Sequence, residues 1–131
     1  CRPSSALHQG GNHFDRLMTR VVVCRDERGV RSLTVSGHSG YAESGRDIVC
    51  AAVSTLITTC ANAMESAAGL VPLVSQDEAA TEISVALPET LSPEQEHDAQ
   101  VVFRTVLQGL RDVAQEYPKH LKINDGRTLS C

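Results

Sequence analysis

The sequence predicts an α+β domain in which two helices pack on a largely antiparallel sheet, in the element order β-β-α-β-α-β. Three features indicate this fold class. Short stretches rich in β-branched residues alternate with two long stretches of helical period, the first two strands are joined by a tight turn, and glycine or proline follows each helix. The length of 131 residues suits one compact domain.

The N-terminal part of the chain differs from the rest in composition. Residues 1–17 are rich in Ser, Gly, His and Asn and show no hydrophobic periodicity, so we expect them to form a disordered N-terminal extension. An ordered pattern begins at Met18. Residues 18–131 are therefore predicted to form the single α+β domain.

A β-hairpin opens this domain. Residues 19–26 contain a run of three valines, which is typical of a strand. Leu33 and Val35 alternate with polar neighbours and predict a second strand over residues 30–36. The intervening residues 26–29 read DERG, and glycine can adopt the positive φ that such a turn needs.

Two helices are predicted from their apolar period and their end signals. The first runs from Asp47 to a capping Gly69, and the second from an N-cap at Ser92, with a capping-box Gln95, to Pro118. The apolar face of the first helix is expected to comprise Val49, Ala52, Val53, Leu56, Cys60, Ala63, Met64 and Ala67. Many of these residues are small, which indicates that another element packs closely against the helix.

Two further strands complete the prediction. Residues 81–87 alternate apolar and polar side chains and are followed by Pro88, which suits a third strand. Leu121 and Ile123 predict a final short strand before Asn124.

Composition excludes several classes of partner. The net charge is −4 and no basic patch is visible, so we expect no direct binding of nucleic acid. We expect no membrane helix, because no apolar run approaches the necessary ~20 residues, and no secretory signal, because residues 1–17 lack an apolar centre. The expected location is the cytoplasm, with no membrane partner.

The five cysteines predict neither a disulfide framework nor a zinc ribbon. Their number is odd and no two are spaced C-x-x-C, so most are expected to be reduced. We expect Cys24 and Cys60 to lie in the core. No metal and no cofactor is predicted.

A glycine-rich loop and the start of the first helix could together form a thiol nucleophile. The loop, residues 37–46, contains three glycines and His38. Cys50 is predicted in the first helical turn, where the positive end of the helix favours a thiolate. It is also predicted to lie off the apolar face, beside Ser54, where a purely structural cysteine has no reason to be.

His38 is the base available to this thiol. An imidazole can accept the thiol proton and later protonate a leaving amine. Asp47 could cap the helix or orient His38, and the residues alone do not decide between these roles. They also leave open that His38 and Cys50 are inert, or that they bind a metal with a third group.

Both segments resemble the signature of a known enzyme family. Residues 37–42 read GHSGYA and residues 45–54 read GRDIVCAAVS, which closely resembles the signature of the bacterial ribosomal-processing cysteine proteases, the Prp family. Ser39 departs from the family pattern, which usually has Ala there. The resemblance in fold and motif covers the chain from Met18 to about Asp125.

This resemblance implies a function and a set of site residues. It implies a cytoplasmic cysteine endopeptidase, a homodimer, that removes the N-terminal extension of a large-subunit ribosomal protein precursor during ribosome maturation. By motif position, Cys50 is the nucleophile and His38 the base, supported by Asp47, Gly37 and Ser54. The alternative is a non-catalytic ribosome-associated binding module of the same fold. The presence of both Cys50 and His38 with Asp47 favours the enzyme.

Overall fold

The structure, a computed structural model, describes residues 18–37, 44–79 and 81–128, except for the side chains of residues 44–47 and 126–128. The predicted extension, residues 1–17, lies outside the described part of the chain. The described elements are β1 Thr19–Asp26, β2 Gly29–Ser36, α1 Ser44–Ser66, β3 Leu73–Asp77, β4 Glu82–Ala86, α2 Pro93–Glu116 and β5 Leu121–Thr128.

The strands form one five-stranded sheet in the order β3-β4-β2-β1-β5. All neighbouring strands are antiparallel except β1 and β5, which are parallel. This confirms the predicted class and the predicted hairpin of β1 and β2. The structure adds the edge strand β3, which the sequence did not predict because it has only two apolar residues and every one of its residues is exposed.

The core lies between the sheet and the two helices. Alternate strand residues, such as Val21 and Val23 in β1 and Leu33 and Val35 in β2, are buried, as the period of a strand requires. The largest fully buried side chain is Phe103 of α2. It belongs to a cluster that also includes Val53, Met64, Val85, Leu107 and Leu110.

The helices α1 and α2 pack against each other through a small residue. A Cβ atom added to Gly109 of α2 would lie 2.8 Å from Cδ2 of Leu56 in α1. A second link joins the helix ends, since the Gln95 side chain donates from Nε2 to the Gly69 carbonyl over 2.8 Å. The close approach of the two helices therefore depends on Gly109 of α2, which leaves room for Leu56 of α1.

The hydropathy of α1 corrects the expectation that no apolar run approaches the length of a membrane helix. The stretch Ile48–Ser66 has a mean hydropathy of 1.4 over 19 residues and is long and apolar enough to cross a membrane by length and composition alone. It reaches this value because no charged residue occurs between positions 48 and 64. In the fold, one face of this helix contributes Val49, Val53 and Ile57 to the core.

Several strand ends meet at the end of the sheet from which the glycine-rich loop leaves. β1 and β5 both begin there, since Thr19 pairs with Leu121. β2 ends there and β4 begins there, since Ser36 pairs with Arg20 on one side and with Glu82 on the other. Gly37, which follows β2 directly, therefore lies at this end of the sheet.

Candidate active site

Gly37 marks the beginning of the loop that carries the predicted base. Its N–H donates to the Thr81 carbonyl over 3.1 Å, and its carbonyl accepts from Thr19 Oγ1 over 3.3 Å. Its φ of +76° is one that only glycine adopts without strain. His38 follows directly in the chain but lies outside the described residues, as do residues 39–43.

The helix α1 begins earlier than the sequence predicted. It starts at Ser44, so Asp47 is a residue of its first turn and not its N-cap. Cys50 consequently lies in the second turn, because a turn contains about 3.6 residues. The stabilisation of a thiolate by the helix dipole falls off within the first turn, so this contribution is weaker at Cys50 than we expected. The side chain of Asp47 lies outside the described ones, and its role stays a prediction.

Cys50 is buried, contrary to the expectation that it lies off the apolar face. Its exposed fraction is 5%, and Ile57, two turns along the helix, is also buried. The buried face of α1 thus includes Cys50 and Ile57 besides four of the predicted residues, Val49, Val53, Cys60 and Met64. Ala67, which we expected on that face, lies after the end of α1 and is exposed. Cys50 nevertheless lies outside the main core cluster. Ser54, one turn further, is half-buried on the same side.

The oxidation state of the cysteines also differs from the expectation. Cys24 and Cys50 each take part in a disulfide bond in this structure. The spacing of cysteines in the sequence does not exclude this, because pairing depends on distances in the folded chain. Cys60 is a free, fully buried thiol, as predicted, and burial raises its pKa from 9.0 to about 12.

The structure thus places three of the five predicted site residues. Gly37 follows the end of β2, and Cys50 and Ser54 lie on α1, which begins at Ser44. No group of three His, Cys, Asp or Glu that could hold a metal occurs in the part of the chain that the structure describes.

Two residues near the loop were missed at the sequence level. Thr19 is buried, and its alternation with Val21 and Val23 already puts it on the core face, so a polar residue there was a usable signal. Thr81 has a positive φ of 49°. No sequence signal marks it, because threonine is not typical of that conformation.

The chain matches a family described as cysteine protease Prp over residues 18–122. The ribosomal processing cysteine protease Prp of Bacillus subtilis is 30% identical over 97 residues, which cover 74% of this chain and 87% of that protein. The protein of the same name from Mycoplasma pneumoniae is 29% identical over 97 residues, covering 72% of this chain and 87% of the relative.

Solved structures have the same fold. The crystal structure of SMU.848 from Streptococcus mutans superposes with a TM-score of 0.76 at 28% identity, covering 86% of this chain and 96% of that one. The ribosomal processing protease Prp of S. aureus, in complex with a substrate peptide, gives a TM-score of 0.69 at 24% identity, covering 83% of this chain and all of that one.

Proposed function

Because this chain belongs to the cysteine protease Prp family, we propose that it removes the N-terminal extension of a large-subunit ribosomal protein during ribosome maturation. The observation that carries the proposal is the family match over residues 18–122, which includes the segments around His38 and Cys50. The names of the Bacillus and Mycoplasma relatives support a ribosomal substrate.

In the proposed mechanism, Cys50 is the nucleophile and His38 the base. His38 accepts the thiol proton, and the Cys50 thiolate attacks the carbonyl carbon of the scissile peptide bond. The tetrahedral intermediate collapses to a thioester as the imidazolium protonates the leaving amine. His38 then removes a proton from water, which hydrolyses the thioester and restores the thiol. Asp47, Gly37 and Ser54 are proposed to support this arrangement.

The proposed chemistry requires the reduced form of Cys50. A sulfur in a disulfide bond cannot act as the attacking thiolate. A reducing compartment such as the cytoplasm, where we propose that the protein works, keeps the thiol available. Assays of the activity therefore need a reductant that is present from the start.

The test is cleavage of a peptide that spans the junction of the encoded extension. We expect the reduced protein to cleave it and the folded fraction of Cys50→Ser to be inactive, because an alkoxide is much harder to form than a thiolate. Cys60→Ala, which removes a buried thiol with a raised pKa, is the control and is expected to cleave in its folded fraction. Cleavage by Cys50→Ser at the normal rate would contradict the nucleophile assignment.

The proposed substrate preceding the cut is an apolar segment that contains aromatic residues, as the family resemblance implies. A large apolar peptide supplies binding free energy that short generic substrates lack. We therefore expect replacement of its aromatic residues by alanine to lower kcat/KM strongly. Equal values for the two peptides would contradict this preference and leave the role of Cys50 unaffected.

A homodimer through the exposed face of α1 forms part of the proposal. This face presents Ile48, Ala51, Thr55 and Thr58 and carries no charge, and Ile48 is 51% exposed. Small uncharged side chains allow two helices to approach closely. Light scattering is expected to give a dimer for the wild type and a monomer for Thr55→Arg. Thr105→Arg, on an exposed position of α2, is the matched control, and a dimer that survives Thr55→Arg would place the interface elsewhere.

A further inference from the structure

Gly37 is held by hydrogen bonds to Thr19, the first residue of β1, and to Thr81, the residue before β4. Both of its backbone polar groups are used, the N–H by the Thr81 carbonyl and the carbonyl by the Thr19 hydroxyl. On one side the space is closed, since a Cβ atom at this position would lie only 2.7 Å from the Met18 carbonyl oxygen. The residue bonded to the predicted base therefore has a defined position and direction.

Thr19 is buried, and its hydroxyl makes one of the two hydrogen bonds to Gly37. Its exposed fraction is 5%, and it is the one buried polar residue among those that the structure describes. Its N–H donates to the His120 carbonyl over 3.0 Å, which links it to the residue that precedes β5. A buried hydroxyl without a hydrogen-bond partner destabilises a fold. The hydrogen bond to the Gly37 carbonyl satisfies the Thr19 hydroxyl and explains why a polar residue is tolerated at this buried position.

Thr81 accepts the other hydrogen bond of Gly37 through its carbonyl, and its backbone has a strained conformation. Its φ of 49° is the only positive value for a non-glycine residue in the described ranges. For a β-branched side chain such a value is a genuine outlier, which persists only where the surrounding structure demands it. Its N–H donates to the Glu78 carbonyl over 3.2 Å, and this turn directs the Thr81 carbonyl towards Gly37.

We propose that Thr19 and Thr81 are positioning residues for the proposed base: by fixing Gly37 they fix the direction in which the chain leaves β2 towards His38. The inference rests on the proposed function, in which His38 is the base of Cys50. A catalytic side chain has to be held to within about half an ångström of its productive position, and the residue before it is where this control is most direct. Neither threonine needs to touch the substrate.

The first test compares Thr19→Val with Thr19→Ser in the cleavage assay. Valine keeps the shape and loses the hydroxyl, so we expect kcat to fall roughly three- to tenfold with KM nearly unchanged. Serine retains the hydroxyl and is expected to restore kcat. Thr34→Val is the control, since it removes the hydrogen bond to Ser84 from the same sheet. A Thr19→Val enzyme with wild-type kcat would overturn the proposal.

The second test uses backbone preference at position 81. Asparagine accepts a left-handed conformation, whereas proline is restricted to φ near −65° and cannot aim the carbonyl in the same way. We expect Thr81→Asn to retain kcat and Thr81→Pro to lose most of it. Melting temperatures are measured for both, and a loss of kcat that only follows the loss of folded protein would contradict a positioning role. This pair also decides the question if Thr19→Val does not fold.

A double-mutant cycle with His38→Ala separates this proposal from the proposed function. Single-turnover cleavage at excess enzyme is measured for both single variants and for the double variant. If Thr19 acts through His38, Thr19→Val has no further effect once His38 is alanine. An equal loss in both backgrounds would overturn the inference alone. Wild-type cleavage by His38→Ala would instead overturn the proposed role of His38.

Discussion

At the scale of single residues, one glutamine side chain replaces a missing strand partner. The Gln100 amide accepts from the Val30 N–H and donates to the Val30 carbonyl, each over 2.8 Å. These bonds fall beside the point where the register of β1 and β2 shifts, between Cys24 and Arg25. A Cβ atom on Gly29 would lie 2.4 Å from Oε1 of Gln100, so glycine is needed for this contact. The glutamine thus joins the hairpin to α2.

Replacement of Gly29 tests this contact. We expect Gly29→Ala to lower the free energy of unfolding by roughly 2–3 kcal/mol, because alanine is strained at this φ and also displaces Gln100. Gly69→Ala is the matched control, since Gly69 has φ +68° but no atom within 4 Å of an added Cβ. It is expected to lose about 1 kcal/mol. Urea denaturation measures both, and equal losses would show that Gln100 is not involved.

The thiol of Cys60 provides a second test at this scale. Its pKa of about 12 keeps it protonated at pH 8, and its side chain is fully buried. We expect iodoacetamide to leave Cys60 unmodified in the folded, reduced protein and to modify it in urea, while Cys50 reacts fastest of the five cysteines. Peptide mass spectrometry identifies the modified sites. Reaction of Cys60 as fast as that of Cys50 in the folded protein would contradict the assignment of a reactive site to Cys50.

At the scale of elements, the start of α2 is determined by local interactions. Ser92 Oγ accepts from the Gln95 N–H over 3.0 Å, and Gln95 Oε1 accepts from the Ser92 N–H over 3.0 Å. Each bond satisfies a backbone donor that the helix itself leaves unpaired. This capping box confirms the prediction made from the sequence.

Removal of the Ser92 hydroxyl is expected to destabilise the protein. Ser92→Ala loses the cap, and we expect the free energy of unfolding to fall by about 1 kcal/mol. Ser75→Ala, an exposed serine in β3, is the control and is expected to stay within about 0.5 kcal/mol of the wild type. Chemical denaturation followed by circular dichroism measures both. A loss at Ser92 no larger than at Ser75 would mean that the cap does not stabilise α2.

The elements also differ in how well the sequence predicts them. α2 was predicted with its correct start and end because its signals are local to Ser92, Pro93 and Pro118. For α1, by contrast, the predicted start was wrong, and the predicted buried face was right for Val49, Val53, Cys60 and Met64 but omitted Cys50 and Ile57. Packing against the sheet selects that face, and the many small residues of α1 leave several faces acceptable.

The candidate site was predictable only in part, for a similar reason. The motif identifies Cys50 and His38 as candidates because their spacing in the chain is short. The contacts of Gly37 with Thr19 and Thr81 join residues that are distant in sequence, so no local pattern reveals them.

At the scale of the whole molecule, charged residues fasten the β1–β2 turn to α2. Arg31 binds Glu96 through two hydrogen bonds of 2.9 and 3.2 Å, and Arg28 binds Asp26 over 3.1 Å. Partial desolvation raises the pKa of Asp26, but hydrogen bonds from Arg28 and the charges of Arg28 and Arg31 outweigh it. The net pKa of Asp26 therefore lies below its ordinary value of 3.8.

This lowered pKa predicts a loss of stability in acid. The contribution of Asp26 is fully present above about pH 3.8 and is lost as the pH falls through its lower pKa in the folded state. We expect the free energy of unfolding to depend less on pH between about 4 and 2 in Asp26→Asn than in the wild type. Glu89→Gln, at an exposed position outside this network, is the control. Parallel pH profiles for the wild type and Asp26→Asn would contradict the prediction.

The parallel pairing of β1 with β5 has a consequence for the order of events during protein synthesis. β1 is among the first described elements to leave the ribosome, yet its partner β5 is the last, and the ion pair of Arg25 with Asp125 joins residues 100 positions apart. The hydrogen bond from the Thr19 N–H to the His120 carbonyl also forms only after residue 120 has been synthesised. The hydrogen bonds that hold Thr19 beside Gly37 are thus complete only after the residues of β5 have been synthesised. A nascent chain that lacks β5 accordingly leaves one edge of β1 open to pairing with another chain, and on the proposed mechanism it cannot yet position its base for cleavage.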